Sequence, residues 1–305
     1  MVLLDQVIAS QEGLITRTQA LAAGMTVSGI RHAIRPGGPW QRLAPGLYAT
    51  FTGRLSLRQR LRAALLHAGE QAVLSGADAC RAHGLRYVPA QERPLVLVPP
   101  AVRVSSSGLC VVQRSTRPLV QRNVAGIPVA AVERAVLDTC LLAGSLQDVR
   151  ALVCECVQRR LTTPDRLAAQ LESTRRNGSG RARIAIADVT AGCWSAPECE
   201  FRDVILSSRV LPEPQWNTPL PDLPDISPDG WWWEARLVAE VDSSEYHDVG
   251  LGPEQTKRRY GRMVAAGWTV IPIAPLRIRR EPRALLRELE AAYRAGLGRW
   301  GHGLG

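Results

Sequence analysis

Residues 228–247 read PDGWWWEARLVAEVDSSEYH, and this stretch decides how the C-terminal part of the chain is interpreted. The alternation over residues 234–242 predicts a β-strand, because successive side chains of a strand point to opposite faces. The face expected to be apolar and to pack on a helix carries Ala235, Leu237, Ala239 and Val241. The other face, which begins with Arg236 and Val238, ends in Glu240 and Asp242. Two carboxylates therefore lie at the C-terminal end of a strand, which is where open α/β sheets have their ligand-binding and active sites.

Neighbouring carboxylates on a buried strand predict a bound metal ion, because they repel each other and are costly to bury without a cation. Asp229, at the start of the preceding strand or turn, supplies a third carboxylate. Asp222 and Asp225 lie close by and leave that choice open, although the spacing to the apolar strand favours Asp229. Hard oxygen ligands suit Mg²⁺ or the similar Mn²⁺. Such an ion polarises a phosphate and activates an attacking water.

The acidic strand lies within a predicted α-β-β-β-α-β order. A fourth acid, Glu198, opens the helix PECEFRDVILSSRV. The helix PEQTKRRYGRMVAAGW follows the acidic strand and places Lys257, Arg258 and Arg259 near its start, and TVIPI predicts the last strand. The three consecutive tryptophans of the opening stretch are expected to pack in the core and on the sheet, with one indole near the surface.

This order and these acids resemble the PD-(D/E)XK nuclease superfamily, and most closely its subgroup near the very-short-patch repair endonucleases. The resemblance covers about residues 191–285. Ser195 and Glu198 match the acid of the first helix, Asp229 matches the "PD" aspartate, and Glu240 matches the (D/E). The subgroup's further motifs fit Asp242, Tyr246, His247, Thr256, Arg259, Met263 and Gly267.

The resemblance implies hydrolysis of DNA phosphodiesters by a domain that needs Mg²⁺ or Mn²⁺. The catalytic residues that it implies are Glu198, Asp229, Glu240, Asp242, Lys257 and Arg259, with Asp229, Glu240 and Asp242 as the metal ligands. The superfamily's lysine two residues after Glu240 is Asp242 in this chain. The positive charge is therefore expected from Lys257, Arg258 or Arg259. Acids at strand ends also cap helices or pair with arginine, so an inert nuclease-like domain is the alternative, and a nuclease acting on RNA is a third.

The first 53 residues predict a winged-helix DNA-binding domain. After an initial helix, GLITRTQALAAGMTVSGIRHAI predicts two more, the last running to Arg35, and WQRLAPGLYAT predicts a β-hairpin. In such a fold the third helix enters the major groove and the hairpin touches the backbone. The residues expected at DNA are Arg31, His32, Arg35 and Arg42. Residues 1–62 carry eight arginines and two acids, which favours phosphate contacts and salt-dependent binding.

The two N-terminal stretches just quoted resemble the N-terminal domain of the AbiEi family of antitoxins from type IV toxin–antitoxin systems. The resemblance implies binding to promoter DNA, autoregulation and a cognate toxin as a partner protein. Winged helices also mediate protein contacts. The alternative to an endonuclease is therefore a non-catalytic transcriptional regulator or antitoxin.

Three domains of the α/β (α+β multidomain) class are expected: residues 1–53, an AbiEi-like α/β middle region at 54–190, and a restriction-endonuclease-like α/β domain at 191–305. The middle region shows no catalytic constellation. The seven cysteines are odd in number and lack metal-site spacing, which predicts buried free thiols in a reducing compartment.

Charge and hydropathy favour a nucleic-acid partner and a cytoplasmic location. The 305-residue chain has a net charge of +10, and every basic residue except Lys257 is arginine. This charge favours polyanions as partners. The start MVLLDQVIASQEG lacks the pattern of a signal peptide, and no run of about 18 apolar residues predicts a membrane span.

Overall fold

The computed structural model describes residues 4–173, 177–242 and 253–300. Helices and mixed sheets alternate along the chain, which confirms the α/β multidomain class. By compactness the chain divides into an N-terminal unit, Met1–Ala143, and a C-terminal unit, Gly144–Gly305. The expected boundaries at 53 and 190 do not coincide with this division: residues 1–53 share a unit with most of the expected middle region, and residues 144–190 share a unit with residues 191–305.

The N-terminal unit begins with the element order of a winged helix. The elements are α1 (Leu4–Ser10), β1 (Leu14–Thr16), α2 (Arg17–Ala22), α3 (Val27–Ala33), β2 (Gln41–Ala44) and β3 (Leu47–Ala49). The strands form an antiparallel sheet in the order β1-β3-β2. Thr16 caps α2 in a capping box with Gln19, and Thr26 caps α3, which explains why both helices start where they do. Helix α3 ends at Ala33, two residues before the predicted end.

Alternation along β1 places two cores on opposite faces of this small sheet. Ile15 packs with Ala20, Ile30 and Tyr48 towards α2 and α3. Leu14 faces the other way, into a cluster that includes Ala63 of the next helix. The winged-helix sheet is therefore covered on both faces.

The rest of the N-terminal unit is built around a five-stranded mixed sheet. Its elements are α4 (Leu57–Ala68), β4 (Val73–Ser75), α5 (Gly76–Ala82), β5 (Leu95–Val98), β6 (Val111–Arg114), β7 (Gln121–Val124), β8 (Ile127–Ala130) and α6 (Val132–Leu142). The strand order is β6-β5-β4-β8-β7. The central strands β4 and β5 are buried along their whole length, because helices pack against them.

The C-terminal unit starts with three helices, α7 (Leu146–Gln158), α8 (Pro164–Glu172) and α9 (Gly180–Thr190). It continues with α10 (Ala196–Leu206), β9 (Gln215–Trp216), β10 (Gly230–Trp232), β11 (Leu237–Val241), α11 (Pro253–Ala265), β12 (Thr269–Ile273), α12 (Pro275–Arg280) and α13 (Pro282–Trp300). From α10 to β12 the order is α-β-β-β-α-β, as the sequence predicts. The sheet order is β12-β11-β10-β9, in which β11 and β12 are parallel and the other pairs antiparallel.

The acidic strand β11 is shorter than its sequence pattern indicates. It begins at Leu237, because residues before it turn and Arg236 has a φ of +47°. All five of its residues are buried, as expected of a buried strand. The face that carries Glu240 is buried because Val238, on the same face, packs with Met263 of α11.

Several other expectations agree with the structure. Trp231 and Trp232 are buried and Trp233 is 36% exposed. All seven cysteines are free and buried. Within the described ranges, none of the helices has both the length and the apolar character needed to cross a membrane.

Candidate active site: a carboxylate cluster on the C-terminal sheet

Strand pairing places Asn217, Asp229 and Glu240 side by side across the sheet. Gly230 pairs with Trp216 on one side and with Ala239 on the other, so the residues next to these pairs are neighbours as well. The Asn217 N–H donates to the Asp229 carbonyl at 3.3 Å, and the Val241 N–H donates to Asp229 Oδ2 at 2.6 Å. Asp229 is thus fixed next to Glu240 by backbone hydrogen bonds.

Glu198 joins this row from the first turn of α10. Ser195 caps the helix, and its hydroxyl donates to Glu198 Oε1 at 2.7 Å. Glu198 Oε2 accepts from the Trp194 N–H at 2.8 Å and from Asn217 Nδ2 at 2.7 Å. The carboxylate is only 1% exposed, and three donors compensate for its burial. Glu198 is therefore held rigidly, with Asn217 connecting it to the Asp229 backbone.

Arg259 supplies the nearest cation to Glu240. Arg259 Nη2 lies 3.0 Å from Glu240 Oε1 and donates to the Ser227 carbonyl at 2.6 Å. The geometry of the first contact is that of an ion pair without a well-aligned hydrogen bond. Within the described part of the chain, Glu240 Oε1 and Arg259 Nε are both buried without a hydrogen-bond partner. One carboxylate oxygen and one guanidinium N–H at this site are therefore unsatisfied.

Burial and mutual repulsion change the protonation of the cluster. Burial, with a smaller contribution from the charge of Glu198, raises the pKa of Glu240 to about 7 against the lowering effect of Arg259. Burial, and then the charges of Glu198 and Glu240, raise the pKa of Asp229 well above its usual value. The pKa of Tyr260 rises to about 12, through burial and through the charges of Glu240, Asp242 and Asp229. With three acids against one guanidinium, protonation of Asp229 and Glu240 relieves the repulsion among these carboxylates.

The raised pKa of Glu240 has a consequence for stability that can be measured. The folded state binds a proton at Glu240 more tightly than the unfolded chain does, so this contribution to stability is complete below about pH 4.5 and is lost as the pH rises through about 7. A pKa difference of this size corresponds to about 3 kcal/mol. Glu240→Gln removes the ionisable carboxyl group, so the variant does not lose this stability as the pH rises. Relative to the wild type, it is therefore expected to gain stability between pH 5 and pH 8.

Urea unfolding followed by tryptophan fluorescence tests this prediction, because every tryptophan except Trp40 lies in the C-terminal unit. Glu254→Gln is the matched control, since Glu254 is an exposed acid paired with Arg258 on α11. Parallel pH profiles for the wild type and Glu240→Gln would contradict the prediction.

Two carboxylates of the cluster, those of Asp229 and Glu240, are arranged so that they could bind a divalent ion together. Mg²⁺ usually binds one or two protein carboxylates and completes its shell with water and phosphate oxygens. Asp229 and Glu240 are adjacent. Glu240 Oε1 accepts no hydrogen bond among the described residues, so a cation could take the place of Arg259 Nη2, which lies 3.0 Å from it. The described residues contain no group of three or more His, Cys, Asp or Glu side chains that could hold a metal ion. The three-ligand set expected from the sequence is thus not assembled.

The remaining predicted residues take different positions around the cluster. Asp242 lies just beyond β11 and is exposed, while its N–H donates to the Ile273 carbonyl at 2.9 Å. Lys257 is exposed on α11, and Arg258 forms an exposed ion pair with Glu254. Of the three candidate positive charges, the structure brings Arg259 to the carboxylates. Tyr246 and His247 lie outside the described residues.

The structure also distinguishes the three candidate aspartates. Asp222 contacts Arg236 and accepts from Trp268 Nε1 at 3.0 Å, and Asp225 forms two hydrogen bonds with Arg262 at the surface. Asp229 is the aspartate that is placed beside Glu240.

Asn217 and Tyr260 were missed by sequence reasoning. Asn217 lies in a loop where a single amide shows no periodic pattern, and its φ of +49° suits asparagine. Tyr260 follows Arg259 on α11 and was interpreted only as part of a basic helix. The sequence alone does not show that Tyr260 lies near the carboxylates, because that depends on how α11 packs against the sheet.

In the N-terminal unit the four residues predicted at DNA are all exposed. Arg31 and His32 lie on α3, and Arg35 follows the helix, where its Nη1 lies 3.2 Å from His32 Nδ1. Arg42 is on β2. The four side chains are therefore available on the helix and hairpin that a winged helix uses.

Comparisons with known proteins give little functional information. No family model matches the chain. It is 30% identical over 137 residues to the proteins MT2308 and Rv2248 of Mycobacterium tuberculosis, both described as uncharacterized; the match covers 42% of this chain and 49% of each relative. The chain thus spans about half the length of the curated relatives it matches. The crystal structure of the RV2827C protein from Mycobacterium tuberculosis is similar with a TM-score of 0.44 and 17% identity, over 60% of this chain and 74% of that one.

Proposed function

We propose that the chain is a DNA-binding, metal-dependent endonuclease whose carboxylate cluster lies on the C-terminal sheet. The observation that carries the proposal is the convergence of buried Glu198 on α10, half-buried Asp229 just before β10 and buried Glu240 on β11, with Arg259 as the one guanidinium in contact with Glu240 among the described residues. Such a set destabilises the folded state, and acids with strongly raised pKa values cluster at functional sites. The α-β-β-β-α-β order around them, with its resemblance to PD-(D/E)XK nucleases, adds the reaction class.

Each residue of the cluster has a defined role in this proposal. Asp229 and Glu240 would hold Mg²⁺ or Mn²⁺, which supplies polarisation of the scissile phosphate and a more acidic attacking water. Glu198 and Asn217 fix the Asp229 backbone, so that the two ligands keep their separation. Arg259, which contacts Glu240 at 3.0 Å, would be the residue that meets the negative charge developing on the phosphate. Lys257 is exposed near the start of the same helix and is a candidate for a further phosphate contact.

A second function is favoured by a specific observation. Glu240 is paired with Arg259, Glu198 is saturated by three donors, and no group of three metal ligands exists within the described ranges. These features suit an inert nuclease-like domain. The protein would then be a transcriptional regulator or antitoxin that acts through its winged helix, with a toxin as partner.

Nicking of supercoiled plasmid in Mg²⁺ or Mn²⁺, compared with EDTA, separates the two functions. Short duplex, mismatched and single-stranded DNA and a single-stranded RNA are included because the preferred substrate is not fixed by the cluster. Product that appears with DNA and requires the metal supports the proposal. Cleavage of RNA alone would move the activity to that substrate, and no product on any substrate would favour the regulator.

DNA binding by the winged helix has its own prediction. Arg31→Ala and Arg35→Ala are expected to weaken duplex binding and to lower the slope of log K against log salt by about 0.9 for each phosphate that the variant no longer neutralises. Fluorescence anisotropy at several salt concentrations measures both quantities. Arg58→Ala is the matched control, because Arg58 carries the same charge but lies on α4, where it pairs with Glu12. Equal slopes in all four proteins would move DNA binding away from α3.

A further inference from the structure

A cavity of about 660 Å³ lies within the N-terminal unit, between the start of α2, the turn that joins β2 to β3, and the end of α4. Its volume is in the range of small-molecule sites, about 300–1,000 Å³. One part of its wall is apolar and consists of Pro45, Leu47, Leu65, Leu66 and Pro128. The charged part of the wall comes from Arg17, Arg62 and Glu70. The cavity thus combines an apolar surface with two guanidinium groups and one carboxylate.

Arg62 is the residue that points to an anionic ligand. Its side chain is 19% exposed, and its Nη1 donates to the Gly126 carbonyl at 3.1 Å. Its Nε is buried and has no hydrogen-bond partner among the described residues. Arg62 thus lines the cavity with a positive charge whose hydrogen-bonding capacity is only partly used by the protein, which favours an anionic partner.

The charge of Arg62 is also only partly compensated. Glu12 Oε1 lies 3.7 Å from Arg62 Nη2, beyond hydrogen-bond distance, while the same oxygen accepts from Arg58 Nε at 2.5 Å. Arg58 therefore takes most of the charge of Glu12. Arg17, exposed on the cavity wall, adds a second positive charge.

We propose that this cavity binds a small organic anion, whose acidic group contacts Arg62 and Arg17 and whose apolar body packs on the leucines and prolines of the wall. Glu70 lies on the same wall and disfavours a ligand with several negative charges. This site does not involve the carboxylate cluster of the C-terminal unit, so the anion-binding proposal can be tested independently of the endonuclease proposal.

Two related fluorescent probes test the proposal on the full chain: anilinonaphthalene sulfonate, an aromatic anion, and N-phenylnaphthylamine, its neutral analogue. The wild type is expected to bind about one equivalent of each. Arg62→Met is expected to weaken binding of the sulfonate about tenfold, because it loses a charged hydrogen bond, and to change binding of the neutral probe less than about twofold. Arg60→Met is the matched control, since Arg60 is exposed on the same helix α4 and does not line the cavity.

Arg17→Met provides a second test that does not disturb buried structure, and it is expected to weaken sulfonate binding about threefold. Circular dichroism and thermal melting establish that each variant is folded. Equal sulfonate affinity in the wild type, Arg62→Met and Arg17→Met would overturn the proposal. It would also be overturned if the wild type bound neither probe, or if Arg62→Met lost both probes equally while remaining folded.

Discussion

Glu240→Gln is expected to slow metal-dependent plasmid nicking by about a hundredfold to a thousandfold, while duplex binding by the winged helix stays within about twofold. The amide removes the negative charge that a divalent ion needs but keeps the size of the side chain and an acceptor for Arg259. Loss of one of only two carboxylate ligands would leave the ion weakly bound, so the polarised phosphate and the acidified water would both be lost. DNA affinity is expected to be unaffected, because Glu240 lies in the C-terminal unit and α3 in the N-terminal unit.

A matched control for this variant must change charge equally without reaching the cluster. Glu254→Gln meets this condition, since Glu254 is exposed on α11 and contacts Arg258. Nicking by Glu254→Gln is expected to match the wild type. Equal nicking by Glu240→Gln and the wild type would show that any observed cleavage comes from elsewhere in the chain or from a contaminating nuclease.

Arg150→Met is expected to destabilise the C-terminal unit by about 3–5 kcal/mol. Arg150 is 3% exposed and donates from Nε to Asp188 at 2.8 Å and from its two terminal nitrogens to Asp203 at 2.6 and 2.8 Å. Removing one partner of a buried ion pair leaves an uncompensated charge, here Asp188, which retains only a 3.3 Å contact to Arg202. Burial already raises the pKa of Asp188, so its charged form depends on the neighbouring guanidinium groups of Arg150 and Arg202.

Urea unfolding followed by tryptophan fluorescence at pH 7 measures this effect. Arg258→Met is the matched control: its ion pair with Glu254 is fully exposed, and such pairs contribute about 0–1 kcal/mol. A change in the free energy of unfolding below about 1 kcal/mol for Arg150→Met would mean that the ion pairs linking α7, α9 and α10 are not important for stability.

The amino-acid sequence predicts much of the C-terminal fold because local signals there agree with one another. Ser195 and Pro197 mark the start of α10, and the alternation before Asp242 marks β11. The relation between Asp229 and Glu240 also follows from spacing, since an acid just before one strand of a hairpin meets one near the end of the next. Strand pairing in the structure has this arrangement.

Other features depend on tertiary contacts that a linear pattern does not contain. The burial of both faces of β11 depends on α11 packing over Val238, and the alternation alone does not reveal that cover. Asp242 belongs to the acidic motif by spacing, yet it is exposed because the strand ends one residue earlier. Asn217 lies in an irregular segment, where its role depends on two partners that are 12 and 19 residues away along the chain.

Binding of Mn²⁺ to the cluster tests the central claim most directly, because it does not depend on finding the right nucleic-acid substrate. The electron paramagnetic resonance signal of free Mn²⁺ is followed at pH 8, above the pKa of about 7 of Glu240, so that this carboxylate is ionised. The wild type and Asp225→Asn, whose aspartate pairs with Arg262 at the surface, are expected to bind about one ion. Asp229→Asn and Glu240→Gln are expected to bind it at least about tenfold more weakly. Absence of Mn²⁺ binding by the wild type, or equal binding by all four proteins, would contradict a metal site at Asp229 and Glu240.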